Sequence, residues 1–224
     1  MLPNGWNQIR DFMEVMSRFG LLKAIYRGQP NDAFELVPSA FRPGGGHITH
    51  PVHLRSWKWR ASSFATPIPR DDIEWLVLAQ HYGLETALLD WTTSPLVALF
   101  FACQIPSGEP SDGCVWSAKR PDFDEPDDTM TVDAFAEQRP RPLLINAIGR
   151  NARSTAQDGV LTLHTRDDYY NIPATRIFTV PHQDKAETLV ALGKLGFTAG
   201  TLYSDITRLV EQFKEETAGR RIGL

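Results

Sequence analysis

The sequence predicts an α+β fold with a helical region at its N-terminus, and three observations carry that expectation. Apolar residues near the N-terminus recur at helical spacing, short apolar runs of strand length gather in the second half, and the two kinds of segment do not alternate as a doubly wound parallel sheet requires. With 224 residues, 42% of them hydrophobic, the chain can bury a sizeable core. At roughly 100–200 residues per domain it reads as a single domain spanning 1–224.

Trp6, Ile9, Phe12, Met13, Met16 and Phe19 share one face of a helix that Gly20 would end. Residues 21–26 form a short apolar strand broken by Lys23, and Arg27-Gly28-Gln29-Pro30 is expected to leave regular structure, which puts Arg27 at a strand end. A helix is expected over about residues 53–64. Asp71 and Asp72 open the next helix, which is apolar at Ile73, Leu76 and Val77 and stops between His81 and Gly83. Leu88-Leu89 reads as a buried strand, followed by a polar turn at Asp90-Trp91-Thr92-Thr93-Ser94 and by Pro95 at the first position of a strongly apolar helix, 96–103. Strands are expected over 113–118, 142–146, 159–164 and 177–180, and helices over 184–195 and 205–216. Residues 122–137 carry seven acids and no base, the pattern of a mobile or solvated insertion.

The longest apolar run, 96–103, falls far short of the roughly 18–20 residues needed to span a bilayer, and the first residues lack the basic-then-apolar pattern of a secretion signal. A cytoplasmic protein with no membrane partner is the expectation. Cys103 and Cys114 make neither a disulfide framework nor a metal site, so they read as buried thiols and no metal is expected. With 23 basic and 27 acidic residues, the net charge of −4 offers no bulk attraction for phosphate backbones. Residues 36–70 are a local exception: they contain no acid, and Arg42, Arg55, Lys58, Arg60 and Arg70 share the stretch with Trp57 and Trp59. A basic-aromatic surface in 42–70 that holds phosphates and stacks bases is one reading; the other is a half-buried helix with its tryptophans turned to the core. Gly44-Gly45-Gly46 lacks the lysine of a phosphate-binding loop.

Three separated blocks resemble the FRG-domain family, a bacterial group named for an aromatic–Arg–Gly motif and found in toxin-like and phage-defence settings. They are residues 24–29 with Tyr26-Arg27-Gly28-Gln29, residues 80–92 from Gln80-His81-Tyr82-Gly83 to Asp90-Trp91-Thr92, and residues 153–164 with Gln157-Asp158-Gly159. The resemblance extends over about residues 10–210 and departs at Glu85 and Ala87, where the family usually carries Pro and Arg. A weaker similarity is to toxin-class ADP-ribosyltransferases, which place an Arg at the end of one strand, a Ser-Thr-Ser-like segment on a second strand ahead of a helix, and a Gln-x-Glu on a third. Here Tyr26-Arg27-Gly28, Trp91-Thr92-Thr93-Ser94 and Gln157-Asp158-Gly159 follow that order, with Gly159 where the family's acid would stand.

The similarity implies mixed, mainly antiparallel sheets around a cleft. It also implies NAD as substrate and a toxin or phage-defence effector that modifies a protein or nucleic-acid acceptor, with a cognate antitoxin as partner. Cleaving the nicotinamide–ribose bond develops positive charge on the sugar, so such a site must grip the pyrophosphate, hold the leaving ring and stabilise the cation. On this resemblance Arg27 grips phosphate through two parallel hydrogen bonds, with Gly28 and Gln29 beside it. Tyr26 or Trp91 stacks on the nicotinamide, Thr92, Thr93 and Ser94 support the ribose and the strand, and Gln157 orients a ribose hydroxyl. Asp90 or Asp158 supplies negative charge, and His81 binds a diphosphate or acts as base toward the acceptor.

Each role has a structural alternative. Arg27 could pair with Asp90, His81 could cap its helix or sit in the core, and Trp91 could be core. Thr92, Thr93 and Ser94 could cap the next helix, and Gln157 could belong to a plain turn. The alternative function is a non-catalytic nucleotide- or partner-binding module, which the missing glutamate favours. A metal-dependent nuclease would need more clustered acids and histidines than Asp90, His81 and Asp158 provide.

Overall fold

The N-terminal periodicity is realised as helix α1 (Asn4–Arg18), which buries Ile9, Phe12 and Met16 but leaves Met13 exposed. The computed structural model describes residues 3–18, 24–105, 109–126, 132–146 and 156–203. The expected stop at Gly20, the strand start at 21–23, the Arg153-Ser154-Thr155 part of the third block and the helix over 205–216 lie outside the described residues.

Strands β1 (Ala24–Gln29), β2 (Leu88–Thr92), β3 (Gly113–Lys119), β4 (Leu143–Asn146), β5 (Gly159–Leu163) and β6 (Ala174–Val180) form one sheet in the order β4-β5-β2-β1-β3-β6. Every neighbouring pair is antiparallel. Helices α2 (Pro51–Ala61), α3 (Asp72–His81), α4 (Pro95–Ala102), α5 (Lys185–Lys194) and α6 (Ala199–Tyr203) complete the longer elements. The fold is α+β with a mainly antiparallel sheet.

Side-chain alternation along the strands assigns the core to two faces. On one face, Tyr26, Val115 and Val180 pack under α1, α4 and α5 through Phe12, Met16, Ala98 and Leu192. Farther along that face, Leu88, Ile145, Leu161 and Leu163 pack under α2 and α3 through Leu54, Ile73 and Leu76. The opposite face carries Ile25, Leu89, Trp91, Ala118, Leu144 and Val160, closed by Phe123.

Several elements differ from expectation for identifiable reasons. Arg27-Gly28-Gln29 does not leave regular structure: β1 continues through it, paired with β3 from Ala24↔Lys119 to Gln29↔Cys114. Gly28 is there because α4 crosses directly over it. A Cβ at Gly28 would stand 1.9 Å from the Ala98 carbonyl oxygen and 2.6 Å from the Ala102 nitrogen. Gly113 on β3 meets the same helix, at 1.9 Å from the Ala102 oxygen. Likewise Asp90-Trp91-Thr92 is strand and not turn, paired with β5 through Thr92↔Gly159. The strand expected over 177–180 begins at Ala174, because its exposed Thr175 and Arg176 lie on an edge strand and hide the apolar signal. Nor is 122–137 wholly solvated. Among its described residues Phe123 and Ala134 are buried, and Asp124 bridges to Leu143. On α2, Trp57 is half-buried while Trp59 is 80% exposed, so the tryptophans do not both turn to the core.

The Gly28 contact sets a test of this packing. Gly28→Ala must push α4 off β1, and is expected to destabilise the fold by ~3 kcal/mol, the upper part of the overpacking range. Urea unfolding of the variant beside the parent measures it.

Candidate functional site

β1 and β2 are joined by a single register pair, Tyr26↔Thr92. Continued pairing would set Arg27 against Trp91 and Gly28 against Asp90, but the ladder stops and the strands part. A cleft of about 270 Å³ opens between them. Its walls are Tyr26, Arg27 and Gly28 from β1 and Asp90, Trp91 and Thr92 from β2, with Gln157, Phe101 and Tyr203 closing the remaining sides. Two stretches about 65 residues apart in the chain, and Gln157 a similar distance beyond, are thereby brought to one hollow.

Arg27 spans the gap. Its Nη1 donates to the Asp90 carbonyl oxygen at 2.7 Å, in place of the missing ladder bond. The partner is backbone and not the carboxylate, so Arg27 and Asp90 do not form the ion pair entertained from sequence. The Arg27 Nε is buried with no hydrogen-bond partner. Burial pulls the guanidinium below its ordinary pKa, the nearby Asp90 carboxylate raises it, and the Arg42 cation lowers it further. A guanidinium remains charged under these conditions, so the cleft holds a half-buried cation with free donor capacity. An anionic ligand is the natural complement.

Thr92 locks the far wall. Its Oγ1 donates to the Gln157 carbonyl oxygen at 2.6 Å and accepts from the Ser94 N–H at 3.0 Å. The Thr93 N–H donates to the Asp158 carbonyl oxygen at 3.0 Å, and Asp158 itself takes a left-handed φ of 47°. These bonds fix the turn that presents Gln157. The Gln157 Nε2 is held by the Leu202 carbonyl oxygen at 3.0 Å. Its Oε1 accepts no hydrogen bond from the described residues.

Other candidates lie elsewhere. His81 lines a separate groove between α2 and α3 and packs edge-on against Tyr82. Gln29 is 2% exposed and structural: its Oε1 accepts from the Trp116 indole N–H at 2.6 Å, and its Nε2 donates to the Glu35 carbonyl oxygen at 3.3 Å. Thr93 lines another hollow, beside Arg120 and Phe123. Ser94 stands at the N-cap of α4 without a side-chain cap bond; its backbone N–H is taken by Thr92. Tyr26 and Trp91 border the cleft but are 2% and 3% exposed, so neither offers an open ring face for stacking. The rings that do stand at the cleft are Phe101 and Tyr203, edge-to-face at 5.9 Å, and both are half-buried. Sequence reasoning missed them. Phe101 is hidden in an apolar helix run, and Tyr203 belongs to a five-residue helix with no signature.

Behind the cleft, Trp91 is held by a buried polar chain. The Trp91 Nε1–H donates to Thr162 Oγ1 at 2.9 Å, and Thr162 Oγ1 lies 2.7 Å from His164 Nε2. The Thr162 hydroxyl accepts from the indole, and because the Asp168 carboxylate beside His164 Nδ1 favours a proton on that nitrogen, the hydroxyl donates onward to Nε2. His164 Nδ1 faces Asp168 Oδ1 at 3.3 Å. Both cysteines are buried and free, and burial pushes the Cys103 thiol up to about 12. Among the described residues no group of three or more His, Cys, Asp or Glu side chains is placed to hold a metal ion, and no helix is long and apolar enough to cross a membrane.

Residues 22–110 match the FRG domain family model. That span runs from β1 to α4 and includes the first two blocks, whereas Gln157 and the third block lie beyond it, so the match is shorter than the 10–210 expected. No curated protein and no solved structure matches the chain. Within the matched span the Tyr26-Arg27-Gly28 triplet divides its work by position. Tyr26 anchors the core, Arg27 bridges the split in the sheet, and Gly28 admits α4.

Two measurements test this support of the site. Thr92→Val removes both hydroxyl bonds at nearly constant volume and should cost ~2 kcal/mol in urea unfolding. Burial holds the His164 imidazole below its ordinary 6.5 despite Asp168. Below pH 6.5 the unfolded chain therefore binds a proton that the folded chain resists, and stability falls as pH drops. Unfolding midpoints measured from neutral to acid pH should show that fall, and His164→Gln should lessen it.

Proposed function

We propose that the cleft binds NAD and that the protein transfers its ADP-ribose moiety to an acceptor, in the manner of a toxin or defence effector. The observation that carries this reading is the convergence of Arg27, Thr92 and Gln157 on one hollow, with an Arg27 Nε that has no partner. The free donor capacity of Arg27 suits a pyrophosphate oxygen. The Gln157 Oε1 suits a ribose hydroxyl, and Phe101 with Tyr203 supplies apolar surface against the nicotinamide ring. At about 270 Å³ the cleft is sized for part of the dinucleotide.

In the reaction the C–N bond to nicotinamide breaks, the electron pair leaves with the ring, and an acceptor oxygen or nitrogen forms the new bond to the ribose carbon while losing its proton. On this reading Asp90, exposed at the cleft wall, supplies the carboxylate that meets the developing positive charge. His81 has no part in this reading, since it lines the other groove.

A second reading is favoured by one specific observation: Gly159, paired with Thr92 where the resemblance would put an acid, has no side chain to fix a ribose hydroxyl. On that reading the cleft recognises a nucleotide without turnover. Incubating the protein with NAD, alone and with bacterial lysate, separates the two. Release of nicotinamide with labelling of an acceptor supports transfer; binding by calorimetry without release selects the recognition module. In either case Arg27→Gln should weaken nucleotide binding about tenfold or more, the scale of a lost charged hydrogen bond. Unchanged binding by that variant removes both readings.

A further inference from the structure

A second hollow shares no lining residue with the cleft. It encloses about 560 Å³ between α2 and α3, well within the range of small-ligand sites. Trp57, Arg60 and Phe64 follow one side at spacings of three and four, and Val77, His81 and Tyr82 form the other. Phe64 is 85% exposed and Tyr82 70%, an open aromatic surface of the kind that marks an interaction site. The Trp57 Nε1 is a buried donor with no acceptor.

Charge decides what fits there. The acids of α3 are already engaged: Asp72 with Lys58, Glu74 with Arg70, and Asp71 as the cap that accepts the Glu74 N–H. Arg55 and Arg60 are exposed and make no ion pair or hydrogen bond with the described residues. Arg55 also stands one helical turn from Trp59, which is 80% exposed. Open π faces beside cations without counter-charges are the combination that holds single-stranded nucleic acid, whose bases stack whatever their sequence and whose phosphates meet the guanidiniums. An uncharged apolar ligand would leave both cations unanswered. We propose that the α2–α3 groove binds single-stranded nucleic acid, with a base against Trp57 and Phe64 and a backbone phosphate at Arg60, the strand continuing along α2 so that a further phosphate meets Arg55, which lies outside the groove lining beside Trp59.

The test uses the full chain without NAD, so it does not depend on the reading of the cleft. Fluorescence anisotropy with labelled DNA and RNA single strands of about 15 nucleotides, and with the matching duplexes, reads binding directly. Single strands should bind at least about tenfold more tightly than duplex. Phe64→Ala should weaken them about fivefold or more, the lower end for loss of one stacked base. Two phosphate contacts give a slope near −1.4 in log K against log salt. Raising salt from about 50 to about 200 mM should therefore cost the parent about sevenfold, and the Arg55→Gln, Arg60→Gln double variant far less. All three side chains are exposed, and thermal melts confirm that the variants fold. Failure of both single strands to bind, equal binding of duplex, insensitivity to Phe64→Ala, or displacement of the strands by an aromatic-rich peptide lacking phosphates would each overturn the proposal. Oligonucleotide binding here, together with no nicotinamide release in the separate incubation with NAD, would keep it and remove the transfer reading.

Discussion

The candidate site depends on one interruption in the sheet. β1 and β2 meet at Tyr26 and Thr92 and then part, and the hydrogen bond from Arg27 to the Asp90 carbonyl is what spans the opening. A side chain that replaces a ladder bond can hold two strands at a distance no backbone pairing permits. It also leaves most of its own donors unanswered. The same residue thus shapes the cleft and supplies its positive charge, which is why the geometry and the chemistry of the hollow cannot be separated.

The opening survives because its surroundings are rigid. Helix α4 lies so close to β1 and β3 that only glycine fits at positions 28 and 113. On the other wall, Thr92 ties the end of β2 to the turn before β5 and to the start of α4. The chain from Trp91 through Thr162 and His164 to Asp168 stiffens the sheet from its opposite face. Lys185 adds a further clasp: 2% exposed, it donates to the carbonyl oxygens of Pro30 at 2.5 Å and Gln104 at 3.4 Å, joining the segments that follow β1 and α4. Its burial is tolerated because its ammonium protons point at carbonyl dipoles.

Among the described residues, each of the two hollows keeps an arginine without a carboxylate partner. Most cations of the acid-free stretch find partners once the chain is folded, as Lys58 does with Asp72 and Arg70 with Glu74. Arg27 in the cleft, Arg60 in the α2–α3 groove and Arg55 elsewhere on α2 do not pair with carboxylates of the described residues. A net charge of −4 concealed both, because binding responds to local fields and not to the total.

Sequence alone determined the α+β class, the helices at Asn4–Arg18, Asp72–His81, Pro95–Ala102 and Lys185–Lys194, and the blocks around Tyr26-Arg27-Gly28 and Asp90-Trp91-Thr92. Periodicity, capping carboxylates and proline at a helix start are local signals, so they are readable without a fold. The tertiary structure decided that Arg27-Gly28-Gln29 is strand, since a glycine that looks like a turn is required by a helix some 70 residues later. It also decided that Gln29, Tyr26 and Trp91 are buried, that His81 belongs to another groove, and that Phe101 and Tyr203 stand at the cleft. Which neighbours a side chain meets depends on pairings between distant segments, and no short window of sequence contains them.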